Sequence, residues 1–359
     1  MYPVPATGPA LGTFMFDAIH IDITGGCNAK CPLCSTARET FGQRINFIST
    51  ADFERTLDRL LDLGLAVRAR STISLFNWGE PILHPDLDGI VAALNARDLA
   101  ISFSTNASKK TSFTVSTRGF REFTFSVPGW SQASYDKVHG LRFDRVIANM
   151  EATIENLRAT GCRAKPMLAF HVYQFNAFDE LDAARAWCRR NGVTFFPYYA
   201  YINDYRVAKA YRKDEMSPVE IGELSRSLFL HYVDDLVARQ PADWECPQWD
   251  TRLTLNHKSQ VLLCCVVPDT HEASVLGSVF DLSRDEILLR KRSSKECNDC
   301  LGCGVAYWGH NFVPVSTRRS VYQSIADRCK SADAPRPLRA VVPLARKLRA
   351  AFRALQSFG

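Results

Sequence analysis

The first 200 residues alternate between short apolar runs and longer segments whose apolar positions recur at helical spacing. The apolar runs predict six strands, at roughly 17–24, 72–76, 100–105, 122–127, 166–172 and 193–198. The longer segments predict amphipathic helices near 50–64, 85–97, 143–159 and 177–190. This alternation is typical of an α/β fold in which crossover helices connect parallel strands. Six units are too few for a closed eight-stranded barrel, and a doubly wound sheet would give the same pattern.

The composition changes after Tyr201, where an aromatic run gives way to a charged stretch and then to a helix-like segment near 217–238. Most of the twelve cysteines follow this point. We therefore predict five segments, which are an N-terminal extension (1–15), an α/β unit (16–205), a helical linker (206–240), a cysteine-rich domain (241–330) and a tail (331–359).

The formal charge of +6 is modest for 359 residues and does not by itself indicate a nucleic-acid partner. No apolar run approaches the roughly 18 residues that a membrane span needs, and no secretory signal is visible, which predicts a cytoplasmic, reducing location. The excess charge lies in the tail, where basic residues are interspersed with apolar ones at helical spacing. We expect an amphipathic helix there that docks on the protein, in preference to one that contacts an anionic membrane surface.

Three cysteines, Cys27, Cys31 and Cys34, directly follow the first predicted strand with C-x3-C-x2-C spacing. A four-iron cluster used only for electron transfer normally takes one cysteine for each iron, so three close thiolates indicate an iron left open for a small molecule. The alternative is a zinc site completed by His20 or by a distant residue.

This spacing resembles the signature of the radical S-adenosylmethionine (radical SAM) superfamily. The resemblance implies an open, partial (β/α)6 barrel. It also implies a [4Fe-4S] cluster whose open iron is chelated by the amino and carboxylate groups of S-adenosylmethionine (SAM).

The second predicted strand ends in Asn-Trp-Gly-Glu-Pro, where the family usually carries Gly-Gly-Glu-Pro. The resemblance implies that Gly79 lets the backbone approach the methionyl ammonium, and that Glu80 accepts a hydrogen bond from that group. Trp78 replaces the first glycine. A structural protein with metal-binding cysteines has no evident reason to carry Gly-Glu-Pro one βα unit after its cysteine loop.

Four more residues lie at or after the ends of predicted strands, at positions that resemble SAM-contacting positions of the family. Thr105 and Asn106 match a Thr-Asn-Gly turn, and Ser126 matches a serine on the fourth strand. His139 stands where related enzymes carry an arginine that meets the SAM carboxylate. A neutral imidazole cannot form that bidentate pair, so either another cation takes the role or binding is weaker and depends on pH.

The C-terminal cysteines resemble the auxiliary-cluster domain called SPASM or, in its shorter form, twitch. We expect one auxiliary iron–sulfur cluster, with Cys246, Cys264, Cys297 and Cys300 as ligands and with Cys265 and Cys303 as competitors. Paired C-x2-C elements also build zinc sites, so zinc remains an alternative.

The resemblance implies reductive cleavage of SAM to a 5′-deoxyadenosyl radical that abstracts hydrogen from a substrate. About sixteen residues precede the first strand, too few for the leader-binding domain of many peptide-modifying relatives. We therefore expect a small polar substrate such as a sugar or aminocyclitol, with a peptide as the alternative, and an electron donor such as flavodoxin or ferredoxin. Aromatic residues after the sixth strand either line the substrate pocket or pack the two domains together; they are Tyr198, Tyr199, Tyr201 and Tyr205. The rival of another class is a non-catalytic zinc- or cluster-binding module.

Overall fold

The computed structural model of the chain describes Phe16, residues 18–311 and Val315. The N-terminal extension, Cys329 and the basic tail lie outside the described residues, so the predicted amphipathic helix and its membrane contact stay predictions. In the part of the chain that is described, no helix has the length and apolar character needed to cross a membrane.

In the described part of the chain, nine strands form a single sheet in the order β6-β5-β4-β3-β2-β1-β7-β8-β9. Their bounds are β1 Ala18–Ile21, β2 Thr72–Ser74, β3 Ala100–Thr105, β4 Phe120–Val127, β5 Met167–Val172, β6 Thr194–Tyr199, β7 Arg252–Leu255, β8 Gln260–Leu262 and β9 Val275–Ser278. Strands β1 to β6 are mutually parallel, as predicted. Strand β6 ends the order, so these six strands form an open arrangement and do not close on themselves. The predicted α/β fold with six parallel strands is confirmed.

Twelve helices are present in the described residues. They are α1 Ser35–Thr40, α2 Thr50–Asp62, α3 Leu87–Ala96, α4 Gln132–Lys137, α5 Phe143–Ala159, α6 Asp179–Asn191, α7 Tyr205–Arg212, α8 Pro218–Ser225, α9 Leu230–Val237, α10 Arg284–Arg292, α11 Lys295–Cys303 and α12 Val305–His310. The crossover helices α2, α3, α5 and α6 lie where the apolar spacing predicts them.

The segment near 217–238 forms the two helices α8 and α9 where the sequence predicts one. The side-chain amide of Gln174, just after β5, donates to the carbonyls of Ser225 and Leu228, both at 2.7 Å. These bonds satisfy carbonyls at the break that a continuous helix would pair internally.

The main core lies between the parallel sheet and its crossover helices. On β3 and β4, Phe103, Phe123 and Phe125 are fully buried and contact one another, with Phe103 and Phe123 stacked at 5.0 Å between ring centroids. A second apolar cluster surrounds α7, α9, α11 and α12 and includes Cys264 and Cys300. Packing of this kind contributes most of the folding free energy of a domain.

The cysteine-rich segment also extends the parallel sheet. Strand β7 pairs in parallel with β1 over four residues, and β8 and β9 continue from it as antiparallel strands. The loop that carries the first three cysteines therefore follows β1, the strand that lies between β2 of the α/β unit and β7 of the cysteine-rich segment.

Candidate functional site

The carboxyl ends of the parallel strands surround a cavity of about 800 Å³. Every residue predicted for the first site lines it, namely Cys27, Cys31, Cys34, Gly79, Glu80, Thr105, Asn106, Ser126 and His139. Parallel strands bring their carboxyl ends to one edge, which is where open α/β sheets bind ligands. The volume lies in the range of typical ligand pockets, about 300–1,000 Å³.

Backbone hydrogen bonds fasten the cysteine loop to neighbouring strand ends. The Glu80 amide donates to the Gly26 carbonyl at 3.0 Å, and the Lys30 amide donates to the His139 carbonyl at 2.9 Å. These two bonds fix the cysteine loop to the turn after β2 and to the turn after α4. The backbone of the loop is therefore held in place where its cysteines line the cavity.

The three thiols are mostly buried. Burial raises the pKa of Cys27 to about 12, and it also raises the pKa values of Cys31 and Cys34. The Cys27 sulfur accepts weak hydrogen bonds from the Ala29 amide at 3.4 Å and from the Asn106 side-chain amide at 3.7 Å. Thiols in such surroundings lose their protons readily only when a cation, such as a metal, compensates the charge.

The Glu80 carboxylate is buried and held by three donors. Its Oε1 accepts from the Ile82 amide at 3.0 Å and from the Thr105 hydroxyl at 2.7 Å, and its Oε2 accepts from the Asn106 amide at 2.7 Å. Burial outweighs these bonds and raises the pKa of Glu80 to about 7. A cationic group brought to this carboxylate would favour its ionised form.

Gly79 has a packing requirement that the sequence does not show. A Cβ atom built on Gly79 would lie 2.1 Å from the Thr24 carbonyl oxygen and 2.3 Å from Thr24 Oγ1. The glycine therefore allows close contact between the turn after β2 and the chain leaving β1, in addition to lining the cavity. Trp78 is not among the residues with positive φ, so its backbone carries no left-handed strain.

Asp22 organises the same turn and was not singled out by sequence reasoning. Its Oδ1 accepts from the amides of Asn77, Trp78 and Gly79 at 2.8, 3.0 and 2.9 Å. The carboxyl is 4% exposed, and burial raises its pKa to about 7. The available signal was a lone acidic residue inside a buried apolar strand, since such a side chain needs several donors.

Two histidine side chains lie next to each other in the wall of the cavity. The rings of His139 and His171 lie 6.4 Å apart, and burial lowers their pKa values to about 3 and about 4. His171 Nε2 lies 3.2 Å from Ser126 Oγ, whereas Nδ1 of His139 is buried without a hydrogen-bond partner. Both imidazoles are therefore neutral near pH 7. Sequence reasoning missed His171 because a lone histidine in a strand carries no motif.

The tyrosines at the end of β6 and just after it divide between the two expected roles. Tyr198 and Tyr201 line the cavity. Tyr199 packs on Phe229 at 5.1 Å between ring centroids, and the Tyr205 hydroxyl donates to Glu296 on α11. One short segment thus contributes both to the cavity wall and to contacts between the α/β unit and the cysteine-rich segment.

Four C-terminal cysteines line a second, much smaller cavity of about 20 Å³. They are Cys246, Cys264, Cys297 and Cys300. The competitors do not line it: Cys265 accepts a hydrogen bond from the Gln248 side chain at 3.1 Å, and Cys303 donates to the Cys300 carbonyl at 3.6 Å. The fold places together the four residues predicted first, while their role as ligands stays a prediction.

All described cysteines are free thiols. Within the described residues, no three His, Cys, Asp or Glu side chains converge on a point that would hold a single metal ion. A tetrahedral zinc site requires such convergence, with Zn–S distances of about 2.3 Å, whereas a cubane cluster binds each thiolate at a different iron. The arrangement of both cysteine sets is compatible with clusters.

Comparison with solved structures identifies the fold. The crystal structure of Streptococcus suis SuiB bound to the precursor peptide SuiA matches with a TM-score of 0.52 and 18% identity, over 82% of this chain and 71% of that chain. The structure of anSMEcpe with bound AdoMet matches with a TM-score of 0.51 and 12% identity, over 92% and 99%. These proteins are radical SAM enzymes, so the chain has the fold of that class, as the cysteine motif predicts. No protein-family model and no curated protein matches the chain.

Proposed function

We propose that this protein is a radical SAM enzyme that uses the N-terminal cysteine site to cleave SAM and to abstract hydrogen from a small polar substrate. One observation carries the proposal. Three cysteines, and no fourth among the described residues, line the same large cavity as the Gly-Glu-Pro turn and the Thr-Asn turn. An electron-transfer cluster or a structural zinc site would need a fourth protein ligand and no adjoining ligand space.

The residues fit these cofactors in position and chemistry. Cys27, Cys31 and Cys34 would hold the cluster, and the carboxylate of Glu80 and the unpartnered Nδ1 of His139 lie on the same cavity. When bound, the cluster and SAM supply a 5′-deoxyadenosyl radical that removes a hydrogen atom from the substrate. The chain's own contribution is to orient the bound molecules and to exclude water from them.

His139 replaces the family's arginine with a neutral donor. Its ring is 3% exposed, and the low pKa of about 3 keeps it uncharged at physiological pH. It would donate a single hydrogen bond to a carboxylate, where an arginine would form a charged pair of bonds. The carboxylate contact would therefore not vary with pH between about 5 and 8.

The substrate side of the cavity supports a small polar molecule. Beyond the predicted SAM-contacting residues, the wall carries His171, Tyr173, Tyr198 and Tyr201. Aromatic rings with polar edges suit a sugar-like ring, since its apolar face packs on them while its hydroxyls reach donors and acceptors.

A peptide substrate is the second candidate, and one observation favours it. A further cavity of about 430 Å³ adjoins the mouth and shares Arg38, Val207, Met216 and Glu220 with the main one. Such a continuation could accommodate residues that flank a modified position.

The C-terminal cysteines would hold an auxiliary cluster that relays electrons or accepts the electron left on the substrate. We further propose a reducing, cytoplasmic location and a flavodoxin- or ferredoxin-type donor, because an oxidising compartment would turn these thiols into disulfides.

The central test is anaerobic reconstitution followed by iron counting and an assay for 5′-deoxyadenosine. We expect about eight irons per chain, since two cubane clusters hold four each. Replacing Cys27, Cys31 and Cys34 together by alanine should remove about four irons and abolish 5′-deoxyadenosine. Cys162→Ala is the matched control, because Cys162 lines neither cavity. Continued 5′-deoxyadenosine formation by the triple variant would refute the assignment.

The substrate class needs a separate readout. Candidate sugars, aminocyclitols and peptides labelled with deuterium are incubated with the reconstituted enzyme, and deuterium in 5′-deoxyadenosine is measured by mass spectrometry. Transfer from small molecules alone supports the first candidate, and transfer from peptides alone supports the second.

A further inference from the structure

Lys291, near the end of α10, is fully buried with no exposed surface. Its Nζ donates to the Arg252 carbonyl on β7 at 2.7 Å and lies 5.2 Å from the centroid of the Phe16 ring. Lys291 takes part in none of the ion pairs formed among the described residues. A buried lysine without a counter-ion is rare, because removing the ammonium from water is costly.

The charge interactions of Lys291 point to the cysteines. Burial lowers the pKa of Lys291 to about 8, and the largest opposing effects come from the thiols of Cys264, Cys246, Cys297 and Cys265. Three of these four line the small C-terminal cavity. Arg252 acts on Cys265 in the same sense, since its charge lowers the pKa of that thiol.

The topology explains how the lysine reaches the cysteines. Helix α10 ends at Arg292 and α11, which carries Cys297 and Cys300, starts at Lys295. The hydrogen-bond partner of Lys291 lies on β7, whose antiparallel neighbour β8 leads directly into Cys264. Lys291 therefore lies on the helix that precedes α11 and is bonded to β7, the strand paired with β8.

We propose that Lys291 is the counter-charge of the C-terminal tetrathiolate site. The proposal rests on the assignment of these cysteines as ligands in the proposed function. Four thiolates around a metal centre carry net negative charge, and that charge is larger still when a cluster is reduced. A fixed ammonium in a water-excluded setting therefore strengthens metal binding and raises the reduction potential of a cluster, so Lys291 acts as a tuning residue.

The first test is a redox titration of the auxiliary cluster, followed by electron paramagnetic resonance, in the Cys27/Cys31/Cys34→Ala background. Lys291→Met should make the cluster at least about tenfold harder to reduce, which for a one-electron couple is about 59 mV. Lys291→Arg retains the charge and should restore most of the difference. Arg292→Met is the matched control, because Arg292 is the next residue, pairs with Asp250 and has a 58% exposed side chain, so solvent screens its charge.

A second readout follows how firmly the auxiliary cluster is held. Loss of this cluster to an iron chelator, followed through its visible absorption in the same background, should be at least about tenfold faster in Lys291→Met than in Arg292→Met. Lys291→Gln serves as the second variant if Lys291→Met does not fold, as judged by thermal melting. Equal potentials and equal rates of cluster loss in the Lys291 and Arg292 variants would overturn the proposal. Neither readout uses SAM cleavage, so failure here is distinguishable from failure of the proposed function.

Discussion

Two groups of cysteines on the same sheet have opposite surroundings. The N-terminal three line an open cavity of about 800 Å³ together with carboxylate, hydroxyl and imidazole groups. The C-terminal four line a cavity of about 20 Å³ whose other residues are mostly apolar. Thiolate chemistry alone does not separate the two sites. The degree of enclosure distinguishes them, because the N-terminal cysteines have room beside them for a bound molecule and the C-terminal four do not.

The difference corresponds to the position of each group in the sheet. The first three cysteines occupy a loop at the carboxyl ends of parallel strands, where ligands bind in open α/β folds. The last four lie in the loop before β7, in the loop after β8 and on α11, and they belong to or pack against the second apolar cluster. A site buried in this way suits a cluster that exchanges electrons and meets no substrate.

The largest effect on the contrast between the two sites is expected when the enclosed cysteine site is removed. Replacing Cys297 and Cys300 together by alanine should lower the iron content from about eight to about four per chain and leave the open site able to cleave SAM. We expect 5′-deoxyadenosine to form without turnover of substrate. Iron counting with product analysis measures both effects. Complete loss of 5′-deoxyadenosine from a folded variant would show that the two sites are not separable.

The next largest effect concerns the turn that shapes the open site. Gly79→Ala forces a methyl group against backbone atoms of Thr24, which cannot move aside as a flexible side chain would. We expect a loss of about 2–3 kcal/mol in the free energy of unfolding, measured by urea denaturation of the metal-free protein, and strongly reduced iron binding at the open site.

Gly222→Ala is the matched control for that variant. A Cβ at Gly222 meets nothing within 4 Å, and the residue lies inside helix α8. Alanine should therefore stabilise the protein by about 0.5–1 kcal/mol. If both glycine variants changed the free energy of unfolding equally, the close contact between Gly79 and Thr24 would not constrain stability.

The smallest expected effect is on the pH dependence of folding stability, through the buried His139 of the open site. Burial lowers the pKa of His139 from 6.5 to about 3, so below pH 6.5 the unfolded chain binds a proton at this residue that the folded chain does not. Its contribution to stability is complete above pH 6.5 and is lost as the pH falls towards 3, at up to about 1.4 kcal/mol per pH unit.

His139→Gln lacks this proton-binding site. The difference in unfolding free energy between wild type and variant should therefore shrink between pH 7 and pH 5, measured by urea denaturation of the metal-free proteins. Parallel pH profiles for the two proteins would show that His139 is not buried in its neutral form.

Much of the fold could be predicted because the helical and strand periodicities are local. The four crossover helices and six parallel strands lie within a few residues of their predicted positions. The division of 217–238 into two helices could not be predicted, because it depends on the side chain of Gln174, which is distant in sequence. The parallel pairing of β7 with β1 is equally non-local.

The residues of the open site could be identified from the sequence because metal ligation and the turns that follow strands require particular residue types at short spacings. The short spacings between Cys27, Cys31 and Cys34, and between Gly79 and Glu80, are examples. Asp22, His171 and Lys291 belong to no motif, and their importance depends on which strands and helices become neighbours. Burial, local charge and hydrogen-bond partners are properties of the packed chain. Only the tertiary structure therefore determined that the N-terminal cysteines line a large cavity, and that the C-terminal cysteines are enclosed in a region that also contains the buried Lys291.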